Sequence, residues 1–126
     1  MNEEINEDLL LEIDGVEDWM AQFVIDPFLD GNKDGLRMDL FETESSYIIE
    51  AIVTNFERDD INLKVVKDGL RLKLKKDKDV ITRFISLPYS LCKRRIKASV
   101  NNEVLEIIIL KKGKRRKKAF RTIKVK

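Results

Sequence analysis

The chain has 126 residues, no histidine, one cysteine and a net charge of +2, with 25 Lys and Arg against 23 Asp and Glu. That length suits one domain with one core. The absence of histidine excludes His-based triads, His metal sites and zinc-hydrolase motifs, and a lone cysteine excludes an internal disulfide. The charge is unevenly spread. Residues 1–44 hold 14 acids and 2 bases (net −12), residues 45–110 hold 9 acids and 13 bases (+4), and residues 111–126 hold 10 bases and no acid (+10). An acidic head and a basic tail attract each other within or between copies. A single cysteine, Cys92, is expected in a reducing compartment, where a cross-link between two chains is the only disulfide left open. The longest unbroken apolar stretch, Ile107 to Leu110, is too short to span a bilayer, so a soluble intracellular protein is expected.

Residues 5–25 set Leu9, Leu10, Ile13, Val16, Trp19, Met20, Phe23 and Val24 at helical spacing among acids, which predicts one or two short amphipathic helices with a break at Gly15. After the polar run Asp30 to Gly35 the period becomes two. Leu36, Met38 and Leu40 alternate, as do Tyr47, Ile49, Ala51 and Val53, then Ile61, Leu63 and Val65, then Leu70, Leu72 and Leu74. Asp68-Gly69 predicts a tight hairpin turn between the last two runs. Ile81 to Leu87 forms a further strand stopped by Pro88; Ile96, Ala98 and Val100 alternate, Asn101-Asn102 turn, and Val104 to Leu110 complete the set. Seven short half-buried strands predict an all-β, immunoglobulin-like antiparallel sandwich.

Nothing in the chain suggests catalysis. The five glycines form neither a phosphate loop nor a dinucleotide fingerprint, and no cofactor is expected. Asp30, Asn32, Asp34 and Gly35 match the first half of an EF-hand calcium loop, but the position of the bidentate Glu holds Phe41, with Glu42 one place late. A polar Asx/Gly loop is therefore preferred, and no metal site is expected.

The chain ends on Ile123-Lys124-Val125, beyond the run Lys111-Lys112-Gly113-Lys114-Arg115-Arg116-Lys117-Lys118. In an extended segment Ile123 and Val125 point to one side and Lys124 to the other, so the tail can add to a sheet edge and fill two pockets.

The ordered set of motifs resembles the small heat-shock proteins and their alpha-crystallin domain. Met38 to Thr43 followed by Tyr47 to Ala51 is similar to the family's paired opening strands. Leu87-Pro88, then Ala98 leading through Asn101 and Asn102 to Val104-Leu105, is similar to its signature Ala-x-x-x-x-Gly-Val-Leu, and Ile123-Lys124-Val125 to its C-terminal anchor. The resemblance implies a helical, acidic N-terminal segment (1–35), an alpha-crystallin-type sandwich (36–110) and a flexible basic extension carrying the anchor (111–126). It also implies that Ile123 and Val125 enter a neighbouring copy's groove lined by Leu63, Val65, Ile96 and Ala98. Three departures stand out. Glu103 replaces the family glycine, which shifts the positive-φ turn position to Asn102. Val53-Thr54-Asn55 replaces a Leu-Pro-Gly. Only about six residues join Leu74 to Ile81, where bacterial and plant members carry a long loop with an exchanged strand, so dimerisation is expected by another route or only weakly. Arg83 aligns with a dimer-interface arginine of the animal branch.

Asp18-Trp19-Met20-Ala21-Gln22-Phe23 with Asp26-Pro27-Phe28 resembles a segment of spore-coat members of this family from Gram-positive spore formers. Trp19, Met20, Phe23 and Phe28 are then candidates for an adaptable client-binding surface, or for a cover on the sandwich or packing inside the oligomer. The basic run reads as a solubilising hinge that also meets the acidic head, in preference to a nucleic-acid site, because only Phe120 is at hand for base stacking. The resemblance implies an ATP-independent holdase that assembles with copies of itself and holds partially unfolded proteins in the cytoplasm. The alternative is a structural spore-coat component with coat-protein partners; a nucleic-acid-associated protein is a third, minority reading.

Overall fold

A computed structural model describes residues 15–21, 36–113 and 120–126. Two four-stranded antiparallel sheets pack face to face. Strands β1 (Met38–Glu42), β2 (Ser46–Ile52), β7 (Val104–Leu110) and β6 (Ile96–Asn101) form the first sheet in that spatial order. Strands β5 (Asp79–Ser86), β4 (Gly69–Lys76), β3 (Ile61–Val66) and β8 (Arg121–Ile123) form the second. The predicted period-two runs are these strands: side chains alternate across the pleat, so each run gives one buried and one solvated face. Met38, Ile49, Leu63, Leu72, Ile107 and Ile109 are fully buried at the interface between the sheets.

Three hairpins have two-residue turns, and each turn places a non-glycine residue at positive φ. The first joins β3 to β4, with Val66 opposite Gly69 and Asp68 at φ 64°. The turn is centred on Lys67-Asp68, one residue earlier than the sequence suggests, because Gly69 is already in the strand. The second joins β4 to β5, with Lys76 opposite Asp79 and Asp77 at φ 54°. This connection leaves no space for an exchanged strand. The third joins β6 to β7, with Asn101 opposite Val104, Asn102 at φ 52° and Glu103 at φ 66°. Asn102 adopts the predicted conformation, and Glu103 shares it, as a primed turn requires at both central residues. Asn55, in the position of the other absent glycine, is likewise at φ 73°.

Glu103 is the most strained of these by residue type, since Asn and Asp tolerate the left-handed region better than Glu. Glu103→Gly is expected to raise stability by about 0.5–1 kcal/mol, measured as a higher urea midpoint at unchanged slope. A lower midpoint would mean that the Glu103 side chain, whose Oε2 accepts from the Asn55 amide at 3.5 Å, contributes more than the turn strain costs.

Short helical pieces flank the sheets. Residues 15–21 form a helix (α1) whose first described residue is Gly15, and the residues on the other side of the expected break lie outside the described ones. It buries Val16 and Trp19 on the sandwich, with the Trp19 ring edge-on to Tyr47 at 5.6 Å. Arg58–Asp60 is a single 3-10 turn closed by a capping box between Glu57 and Asp60. Tyr89–Cys92 (α2) follows Pro88, whose fixed φ suits the start of a helix.

Candidate assembly site

The C-terminal segment lies across the open side of the sandwich, where one edge of each sheet would otherwise be bare. Strand β8 pairs antiparallel with β3, setting Ile123 opposite Leu63 and Arg121 opposite Val65. Two residues on, Val125 forms a parallel bridge with Ala98 of β6. The Lys126 amide donates to the Ala98 carbonyl at 3.0 Å, and the Val100 amide donates to the Lys126 carbonyl at 2.9 Å. Strand alternation turns Ile123 and Val125 inward, each only 8% exposed, and leaves Lys124 in solvent. All four groove residues, Leu63, Val65, Ile96 and Ala98, are buried in the same core. The segment thus spans both sheets and protects two edges that would otherwise be open to strand addition.

Arg121 adds a polar clasp that sequence reading did not single out. Its guanidinium donates through Nη1 to the Cys92 carbonyl at 2.8 Å and through Nη2 to the Arg94 carbonyl at 2.6 Å. These carbonyls lie at and just beyond the end of α2, where helical carbonyls lack an intrahelical partner and favour a cation. In sequence Arg121 is one cation among ten, and only the fold of the β5–β6 connection distinguishes it. The start of the basic run is fixed as well. Lys111 Nζ lies 2.7 Å from Glu42 Oε2 and 4.8 Å from the Tyr47 ring centroid, tying the basic extension to an acid of the N-terminal third.

The remaining candidates are dispersed. Cys92 is 3% exposed, and burial, then the Asp68 charge, push its thiol up in pKa, partly offset by Arg121. It is therefore a buried, protonated thiol rather than a surface group available to cross-link two chains. Arg83 sits on the outermost strand β5, but its side chain points inward, is 5% exposed and donates to the Thr82 carbonyl at 2.7 Å. The solvent side of that strand carries Val80 and Phe84 instead, each half exposed. Trp19 is 4% exposed within the core, and Met20, partly buried, packs against that core. Phe23, Phe28 and the Asp30 to Gly35 loop lie outside the described residues. Phe41, at the position of the calcium-binding Glu, is in strand β1 and 49% exposed. Among the described residues no group of three or more His, Cys, Asp or Glu could hold a metal, and no helix is long and apolar enough to cross a membrane.

No protein-family model matches the chain. In sequence it is similar to spore coat protein M of Bacillus subtilis, 26% identical over 100 residues that cover 79% of this chain and 76% of that protein. In structure it is similar to heat shock protein 16.0 of Schizosaccharomyces pombe (18% identity, TM-score 0.57, 82% of this chain and 87% of that one). A small heat-shock protein of Xylella fastidiosa (20%, TM-score 0.54, 69% and 94%) and a variant of hsp14.1 of Sulfolobus (20%, TM-score 0.54, 62% and 76%) are also similar. The chain thus has the alpha-crystallin fold of the small heat-shock proteins, and its sequence similarity to a coat protein agrees with the spore-coat branch.

Proposed function

We propose that this protein is an ATP-independent holdase that assembles by exchanging its C-terminal segment between copies, and that the vacated groove holds apolar segments of unfolding proteins. The observation that carries this reading is the seating of Ile123 and Val125. Two side chains and one short strand fill a groove of core residues, yet the segment is joined to the sandwich only through the ten residues 111–120 between β7 and β8. Extended, that connection reaches about 33 Å, enough for its own groove or a neighbour's. Each contact is modest, and tethering many of them in one assembly raises their effective concentration. A partially unfolded protein presents the same chemistry as the tail, an extended strand with alternate apolar residues, and would compete for the same site.

Suppression of light scattering by a heat-aggregating client, without nucleotide, tests this reading. The protein is expected to suppress it, and an excess of a peptide of residues 120–126 to relieve the suppression by occupying the groove. A second reading, a structural coat component of the same fold, is favoured by the similarity to spore coat protein M. Assemblies that form normally yet leave client aggregation unchanged would select it over the holdase.

A further inference from the structure

The two outer faces of the sandwich carry opposite charge in rows that oppose their own kind. On the first sheet, Asp39 is directly opposite Glu50, and Glu50 directly opposite Glu106, so three carboxylates cross β1, β2 and β7 in one line. They lie half-buried on the outer side, because their neighbours Met38, Ile49, Ala51, Leu105 and Ile107 face the core. On the second sheet Lys64 is directly opposite Arg71, with Lys73 and Lys75 further along β4. These four cations, with Asn62 and Thr82, line a shallow depression of about 660 Å³. Asp59 and Asp60 at its border are engaged locally, Asp59 with Arg58 at 3.6 Å and Asp60 with the Glu57 amide at 2.9 Å. Among the described residues no cation pairs with Glu50 or Glu106 and no carboxylate pairs with Lys64, Arg71, Lys73 or Lys75, while Asp39 has only the exposed Arg37 at 3.4 Å.

Like charges directly opposite in a sheet are destabilising, so both rows weaken the isolated sandwich. They lie on opposite sides of one molecule and cannot neutralise each other within it. We propose that the acidic outer face of one copy stacks on the basic outer face of the next. Both faces are twisted sheets with charges on the same strand spacing of about 4.8 Å, so the rows are commensurate. Each face also carries apolar surface beside its charges. Phe41, Ile48 and Ile108 form the adjoining row on the acidic side, which ends on a single exposed cation, Lys97, and Phe84 lies directly opposite Arg71 on the basic side, with Phe41 49% and Phe84 50% exposed. Face-to-face pairing of two identical faces is repulsive, so the contact joins unlike patches. It is therefore heterologous and open-ended, and builds stacks rather than closed dimers. This inference deepens the self-assembly reading above by naming a second contact, independent of the tail.

Charge reversal in the full chain tests it. E50K/E106K makes both faces basic, and K64E/R71E makes both acidic. At low salt, about 20 mM, where exposed charges act over roughly 20 Å, each variant alone is expected to lose several-fold in weight-average mass by light scattering. A one-to-one mixture should recover the loss by alternating, and salt should dissolve wild-type stacks and mixed ones alike. Circular dichroism checks that the variants fold, and the neutral pair E50Q/E106Q and K64Q/R71Q, which should also lose mass, serves if they do not. I123A/V125A, measured in parallel, separates the two contacts: it should keep the salt-sensitive part of the mass. Reversed variants that assemble like the wild type, or a mixture no larger than its components, would overturn stacking and leave tail exchange standing. So would a single-stranded oligonucleotide that binds the wild type but not K64E/R71E and does not dissolve the stacks.

Discussion

At physiological salt, where contacts between exposed charges are screened, Ile123→Ala combined with Val125→Ala is expected to release the C-terminal segment and reduce tail-built assemblies to small species. The two substitutions remove about five buried carbons, or about 4 kcal/mol at roughly 0.8 kcal/mol each, which is close to a thousandfold in the docked-to-free ratio. What remains is the short β8 ladder, the backbone bonds of Lys126 with Ala98 and Val100, and the Arg121 clasp. A three-residue edge strand without side-chain burial does not hold, because a single net hydrogen bond contributes only about 1 kcal/mol. Loss of the segment also bares Leu63 and Ala98 on two open edges. The variant should therefore be cleaved by trypsin after Arg121 and Lys124 much faster than wild type, with lower mass by light scattering. Unchanged particle mass together with rapid cleavage would show that the tail docks only within its own chain and that assembly rests elsewhere.

Gly69→Ala should be the most damaging small substitution in the second sheet. A Cβ at Gly69 would lie 2.3 Å from the Ile85 carbonyl oxygen and 2.6 Å from the Phe84 ring. The oxygen belongs to the backbone of the paired strand, so relief requires β4 and β5 to separate where their ladder ends at Gly69 and Ser86. The requirement is one of space and not of backbone dihedral. Overpacking of this kind costs about 1–3 kcal/mol, a fall of roughly 5–15 °C in melting temperature for a domain of this size. Because Leu63, Leu72 and Ile123 occupy adjacent strands, the damage should extend to the tail groove and raise trypsin cleavage at Arg121 as well. A melting temperature equal to that of the wild type would mean that the Phe84 ring and the β5 edge shift freely, and that this edge is looser than its pairing suggests.

The sandwich was legible in the sequence because period-two alternation is a local signal, and all seven runs read from it are strands. Ile123 and Val125 stood out for the same reason. Their groove was legible only through the family resemblance, since Leu63 and Ala98 are far apart in sequence and on different sheets. Features set by non-local geometry were not legible. The Arg121 clasp depends on where the β5–β6 connection places two carbonyls. The carboxylate row depends on the register of β1, β2 and β7, which brings together residues 39, 50 and 106. The helix at Tyr89–Cys92 is too short for its periodicity to show, and the turn at Lys67-Asp68 was misplaced because a glycine used for close packing reads like a glycine used for turning. Of the two readings open for Trp19, client surface or cover on the sandwich, its place in the core fits the cover, and its edge-on contact with Tyr47 is what no spacing rule encodes.

The order of the strands along the chain also sets an order in time. Strands β3 to β5 are consecutive and joined by two-residue turns, so they can pair as soon as they are made, whereas β2 must wait for β7. The wall of the groove supplied by β3 and the wall supplied by β6 both precede β8 along the chain. On refolding from denaturant, β3 to β5 should therefore order before the groove closes over Ile123 and Val125.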